Sequence, residues 1–108
     1  MASKQSYVDF ILEQISSAGL VYAKRMFGEY GVYCDDKIVA LFCDNQLFVK
    51  PTIAGKDFIG RFTEGYPYPG AKPYLLISGE YWDDSEWLTE LIRISAEELP
   101  RPKPKRSR

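Results

Sequence analysis

A chain of 108 residues, 45% hydrophobic and 27% charged, has the size and mixture of one globular domain with a modest core. It contains no histidine, which excludes Ser-His-Asp and Cys-His nucleophilic pairs, a histidine general base and a histidine metal ligand. The net charge of −1 hides an asymmetry: 15 acidic against nine basic residues leave the body up to Pro100 at −6, while Arg101, Lys103, Lys105, Arg106 and Arg108 give the last eight residues +5.

Along the chain, Tyr7, Phe10, Ile11, Ile15 and Ala18 recur at helical spacing. An amphipathic helix of about four turns is expected, capped by Ser3 and stopped by a left-handed Gly19. Val21 to Met26 reads as a strand, and Gly28 and Gly31 bracket a tight connection or a bulge. Strands follow at Glu29–Cys34, Lys37–Cys43 and about Gln46–Lys50, joined by hairpin-type turns at Asp35-Asp36 and Asp44-Asn45. On the middle strand, strict alternation puts Ile38, Ala40 and Phe42 on one face and Val39, Leu41 and Cys43 on the other. Both faces are apolar, so helices must cover both, or one face meets a second copy of the chain or another protein.

Thr52 caps a short helix, Ile53 to Phe62, weakened by Gly55 and Gly60. The segment Gly65 to Pro73 holds three prolines and specifies an extended loop. Tyr74 to Ser78 is a further strand, with a continuation to Trp82 as an alternative. Asp83 and Glu86 have capping-box spacing for a last helix whose apolar face is Trp87, Leu88, Leu91, Ile92 and Leu99. The expected class is α+β, an antiparallel sheet with helices in the order α-β-β-β(-β)-α-β(-β)-α, because the strand connections are too short for parallel crossovers. Residues 1–99 form the domain and 100–108 a basic, proline-rich, disordered tail.

Little in the sequence points to catalysis. Gly55-Lys56 lacks the spacing of a phosphate loop, and Gly28 with Gly31 lacks the third glycine of a dinucleotide fingerprint. Cys34 and Cys43 match no zinc spacing and fall at opposite ends of the hairpin, roughly 20–30 Å apart at ~3.4 Å per residue, so both are expected as buried free thiols. No cofactor is implied. Asp35-Asp36 and Asp83-Asp84 read as a turn and a cap. No apolar leader and no run of ~18 apolar residues is present, so a cytoplasmic location without a membrane span is expected. Lys24, Arg25, Lys50 and Lys72 fall near strand ends or in the proline loop, among Tyr66, Tyr68 and Tyr74, a pattern suited to single-stranded nucleic acid or an anionic ligand.

The run Arg25-Met26-Phe27-Gly28-Glu29-Tyr30-Gly31-Val32-Tyr33, the strand Ile38–Phe42, the exit Lys50-Pro51 and the loop Pro69-Gly70-Ala71-Lys72-Pro73-Tyr74 resemble the N-terminal domain of the TfoX/Sxy family of competence regulators. The resemblance implies a fold similar to secretion-chaperone-like domains. It also implies a non-enzymatic regulator of transcription, acting by protein contact with the catabolite activator protein or RNA polymerase. Full-length regulators of that family carry a second, C-terminal domain, so this chain would be a stand-alone, single-domain relative. The expected partner or ligand contacts are Arg25, Lys72, Tyr66, Tyr68, Val39 and Leu41, with a homodimer as one form of partnership. Two alternatives stand beside this reading. One is a nucleic-acid accessory role through Arg101, Lys103, Lys105, Arg106 and Arg108; the other is a sensor of a small anionic ligand.

Overall fold

Two dipeptides set the geometry of the sheet. Asp35 and Asp36 have φ of 52° and 67°, and Asp44 and Asn45 have 53° and 56°. Positive φ at both central residues defines the type I′ turn, whose twist matches that of antiparallel strands, and Asp and Asn tolerate it better than other side chains. The computed structural model describes residues 4–26 and 29–100. Ser3, Gly28 and the tail 101–108, on which earlier expectations fell, lie outside the described residues.

The elements run α1 (Gln5–Gln14), β1 (Val21–Met26), β2 (Glu29–Cys34), β3 (Lys37–Cys43), β4 (Gln46–Val49), α2 (Ile53–Ile59), β5 (Thr63–Gly65), β6 (Tyr74–Ile77) and α3 (Ser85–Glu98), with 3-10 turns at Ser16–Ala18 and Gly79–Tyr81. The fold is α+β, as expected. One antiparallel sheet has the strand order β1-β2-β3-β4-β6-β5. β5 is an addition to the expected pattern, and β6 stops at Ile77, where the chain turns instead of continuing through Gly79.

Helix ends also differ from expectation in instructive ways. The N-cap of α1 is Lys4, without a side-chain cap bond. The helix gives way after Gln14 to the 3-10 turn, and Gly19 has φ 157°, ψ −156°, a positive-φ conformation open chiefly to glycine but not the left-handed helical stop expected. The β2–β3 turn dictates this path: Asp35 N donates to Leu20 O at 2.9 Å and Asp35 Oδ1 accepts from Leu20 N at 2.9 Å. A Cβ on Gly19 would meet that carboxylate at 2.8 Å, so the close approach needs glycine. The cap of α3 is Asp84, whose Oδ1 accepts from Trp87 N at 3.2 Å, one residue later than expected. Thr52 caps α2 through its hydroxyl, which accepts from Gly55 N at 2.9 Å.

Register places the core. Cys34 opposes Lys37 and Tyr33 opposes Ile38, but Val32 opposes Ala40, so Val39 is the extra residue of a β-bulge. Beyond the bulge the parity is reversed. Val39, Ala40 and Phe42 join the large cluster formed with Val8, Ile11, Leu88 and Leu91 of the helices. Leu41, Cys43 and Phe48 form a second cluster, bordered by Met26, Ile38, Tyr74 and Leu76. The expectation that Val39 and Leu41 share a face is therefore corrected: Val39 is wholly buried in the helix-side core.

The helices close that core tightly. Gln14 O, an orphan carbonyl at the end of α1, accepts from Ser85 Oγ at 2.7 Å and from Thr89 Oγ1 at 2.9 Å, tying α1 to α3. Trp82 lays its ring against Phe42 at 5.4 Å between centroids and donates Nε1–H to Ile77 O at 3.1 Å.

Candidate functional site

Leu41 and Cys43 of the second cluster lie in the floor of a groove. Register assigns its residues: Leu41 opposes Gly31 on one side and Phe48 on the other, and Phe48 opposes Leu76. Gly31 matters by its size. A Cβ there would stand 3.1 Å from Met26 Sδ and 3.2 Å from Ile38 Cδ1, so its absence lets those two side chains lie across the sheet. The proline loop supplies the opposite wall through Pro67 and Tyr68. The result is a half-open cavity of about 630 Å³, within the size range of small-molecule sites.

The groove is apolar, with one charged group at each end. Glu29 stands beside Cys43 and its Oε2 accepts from Asp44 N at 3.0 Å. Lys50 stands at the other end, where its backbone N donates to Val39 O at 2.8 Å. Burial raises the Tyr74 phenol, with Tyr68 adding to the effect. Burial also pushes the Cys43 thiol up to about 11, and the negative charges of Glu29 and Asp44 push in the same direction. Cys34, on the helix side, is raised chiefly by burial. Both cysteines are free and buried, as expected, and a thiol held neutral in this way is a poor nucleophile. Among the described residues no group of three His, Cys, Asp or Glu side chains could hold a metal ion.

The expected contact residues do not form one site. Leu41 and Tyr68 both line the groove. Tyr66 and Lys72 belong to the same loop and are exposed, Tyr66 at 64% and Tyr68 at 54% of full accessibility. Arg25 lies elsewhere: it is on edge strand β1, with its guanidinium 5.3 Å above the ring of Tyr30. Three strands separate β1 from β6, into which the Lys72 loop leads. Lys50, placed among the basic residues of interest by sequence but not among the expected contacts, is the cation that lines the groove. Position alone could have found it, because Lys50 follows β4 directly and continues the parity of Phe48.

A second basic and aromatic feature sits on the outer strands. Tyr22 and Tyr33, opposed in register, stack at 5.1 Å with ring planes 1° apart, and Lys24 Nζ lies 5.9 Å and 5.5 Å from their centroids. Tyr22 donates its hydroxyl to Asp36 Oδ1 at 2.9 Å, which raises its pKa. Among the described residues no helix is long and apolar enough to cross a membrane.

The TfoX N-terminal domain model matches residues 13–99. An uncharacterized 12.7 kDa protein in the trpE 5′ region of Spirochaeta aurantia is 39% identical over 108 residues, spanning 100% of this chain and 93% of that protein. A match over most of the chain establishes that the chain belongs to the TfoX N-terminal domain family, a regulatory family linked to competence.

Proposed function

We propose that this chain is a non-enzymatic regulatory module that acts by protein contact with the transcription machinery, the catabolite activator protein or RNA polymerase being the partner that the family's link to competence suggests. The observation that carries the reading is the surface formed by the proline loop, where Tyr66 and Tyr68 stand more than half exposed and Tyr68 lines an apolar groove. Exposed aromatic side chains on a rigid segment are the kind of anchor that dominates protein interfaces, because they bury much area at low entropic cost. The raised thiols and the lack of histidine support a binding role over a catalytic one.

The test is direct binding of the purified chain to purified catabolite activator protein and RNA polymerase, separately and on promoter DNA, by biolayer interferometry. The expected result is saturable binding to one of them that Tyr66→Ala/Tyr68→Ala weakens at least tenfold. Absence of binding to either protein, with or without DNA, would overturn the reading.

A further inference from the structure

Lys50 is the one cation lining the groove, and among the described residues its ammonium has no hydrogen-bond or ion-pair partner. Its neighbours are committed. Lys37 Nζ donates to Ala96 O at 2.6 Å, Asp36 accepts from Tyr22, and Glu29 accepts from Asp44 N. Lys50 is half-buried, so a counter-ion supplied by a ligand would be only partly screened by water. Next to it begins an apolar floor, Ile38 and Leu41, walled by Met26 on one side and Tyr68 and Tyr74 on the other.

The two ends of the groove differ in sign. Lys50 sits beside Val39, and Glu29 sits beside Cys43. These positions are four residues apart along the strand, roughly 13 Å at ~3.3 Å per residue. An anionic head is attracted at the Lys50 end and repelled at the Glu29 end, so a molecule with acid groups at both ends is disfavoured.

We propose that the groove is a binding site for a free apolar monocarboxylate, its carboxylate on Lys50 and its hydrocarbon body across Ile38 and Leu41. Burial of the body against a preformed apolar floor supplies affinity, and the charge-assisted bond to Lys50 supplies the preference for an acid. Tyr68 covers the bound molecule from the loop side. The proposal goes beyond the transcription reading and does not rest on it.

The experiment is isothermal titration calorimetry of the full chain with three probes of equal length: sodium decanoate, decanol and decylamine. A fourth probe, N-acetyl-trileucine with a free C-terminus, represents the same chemistry at the end of a protein. Decanoate is expected to bind at least tenfold more tightly than decanol, and decylamine not to bind. Lys50→Met, at a half-exposed position whose side chain holds no partner, is expected to fold normally by circular dichroism and to bind decanoate and decanol alike. Lys50→Arg is expected to keep the preference for the acid. Equal affinity of the native chain for decanoate and decanol, a preference that survives Lys50→Met, no binding of decanoate, or binding of the tripeptide alone would each overturn the proposal. Retained binding of the Lys50→Met variant to RNA polymerase or the catabolite activator protein keeps failure here separate from failure of the transcription reading.

Discussion

Val39 and Leu41, two residues apart on one strand, face opposite sides of the sheet because Val39 is the extra residue of the bulge, which breaks the alternation between them. Val39 is fully enclosed by the helix-side core, whereas Leu41, 8% exposed, borders the groove. A polar side chain therefore meets different surroundings at the two positions. Val39→Asn must bury an amide without a partner and is expected to cost about 3 kcal/mol or more, while Leu41→Asn can hydrate its amide from the groove and is expected to cost about 1 kcal/mol less than Val39→Asn. Urea unfolding of the two variants checks the order.

The contact between Asp35 and Leu20 fixes where the N-terminal helix segment ends and β1 begins. Asp35→Ala removes the acceptor for Leu20 N and places alanine at φ 52°, which its Cβ disfavours. The expected loss is about 1–2 kcal/mol, with Asp35→Asn close to the native chain, measured by thermal or urea unfolding.

Glu98, near the end of α3, clamps the start of α2: its two carboxylate oxygens accept from Ile53 N at 2.8 Å and Ala54 N at 2.9 Å. These backbone donors, Ala54 first, hold its pKa below the usual value of 4.5. A carboxyl depressed by folding stabilises the native state above its unfolded pKa, and that contribution is lost as pH falls through the folded value. Stability is therefore expected to fall below about pH 4.5, the ordinary range for a glutamate. Glu98→Gln is expected to be less stable than the native chain at pH 7 and to approach it at pH 3. Urea midpoints at the two pH values check this.

Cys43, with its thiol near 11, is expected to resist alkylation. At pH 8 only about one thiol in a thousand is ionised, against roughly one in ten at the ordinary value of 9.0, so iodoacetamide is expected to react with Cys43 on the order of 100-fold more slowly in the folded chain than in urea. Mass spectrometry of timed aliquots gives the ratio.

For the tail, a chain ending at Pro100 is expected to lose whatever affinity the native chain has for single-stranded DNA. The salt dependence of the native chain is expected to be steeper by up to about 3.5 in log K against log salt, from five cations at ~0.7 each. Fluorescence anisotropy at several salt concentrations checks both.

Much of the fold is legible in the sequence because it is encoded locally. Asp35-Asp36 and Asp44-Asn45 can only be tight turns between apolar strands, and Thr52 and the Trp87–Leu91 spacing mark their helices. The bulge is not legible, because Lys37–Cys43 is apolar on both parities and no glycine or proline marks the extra residue. β5 is three residues, Thr-Glu-Gly, with no apolar alternation, and forms because Leu75 and Leu76 pair with it. Asp83 and Asp84 are equivalent as caps by composition, and only the path of the chain out of Trp82 selects the second. The groove is assembled from β1, β2, β3, β6, Lys50 after β4 and the proline loop, so its floor could be foreseen strand by strand but not the placing of Tyr68 in the same groove as Leu41, nor the choice of Lys50 over Arg25.

Hydrogen–deuterium exchange of the chain alone and with purified RNA polymerase or catabolite activator protein maps a regulatory contact onto the fold. Protection confined to the proline loop and β6, residues 66–77, with α1 and α3 unchanged, is the predicted result. Protection on the helices instead, or an exchange pattern unaltered by either protein at saturating concentration, would contradict a regulatory contact through this face.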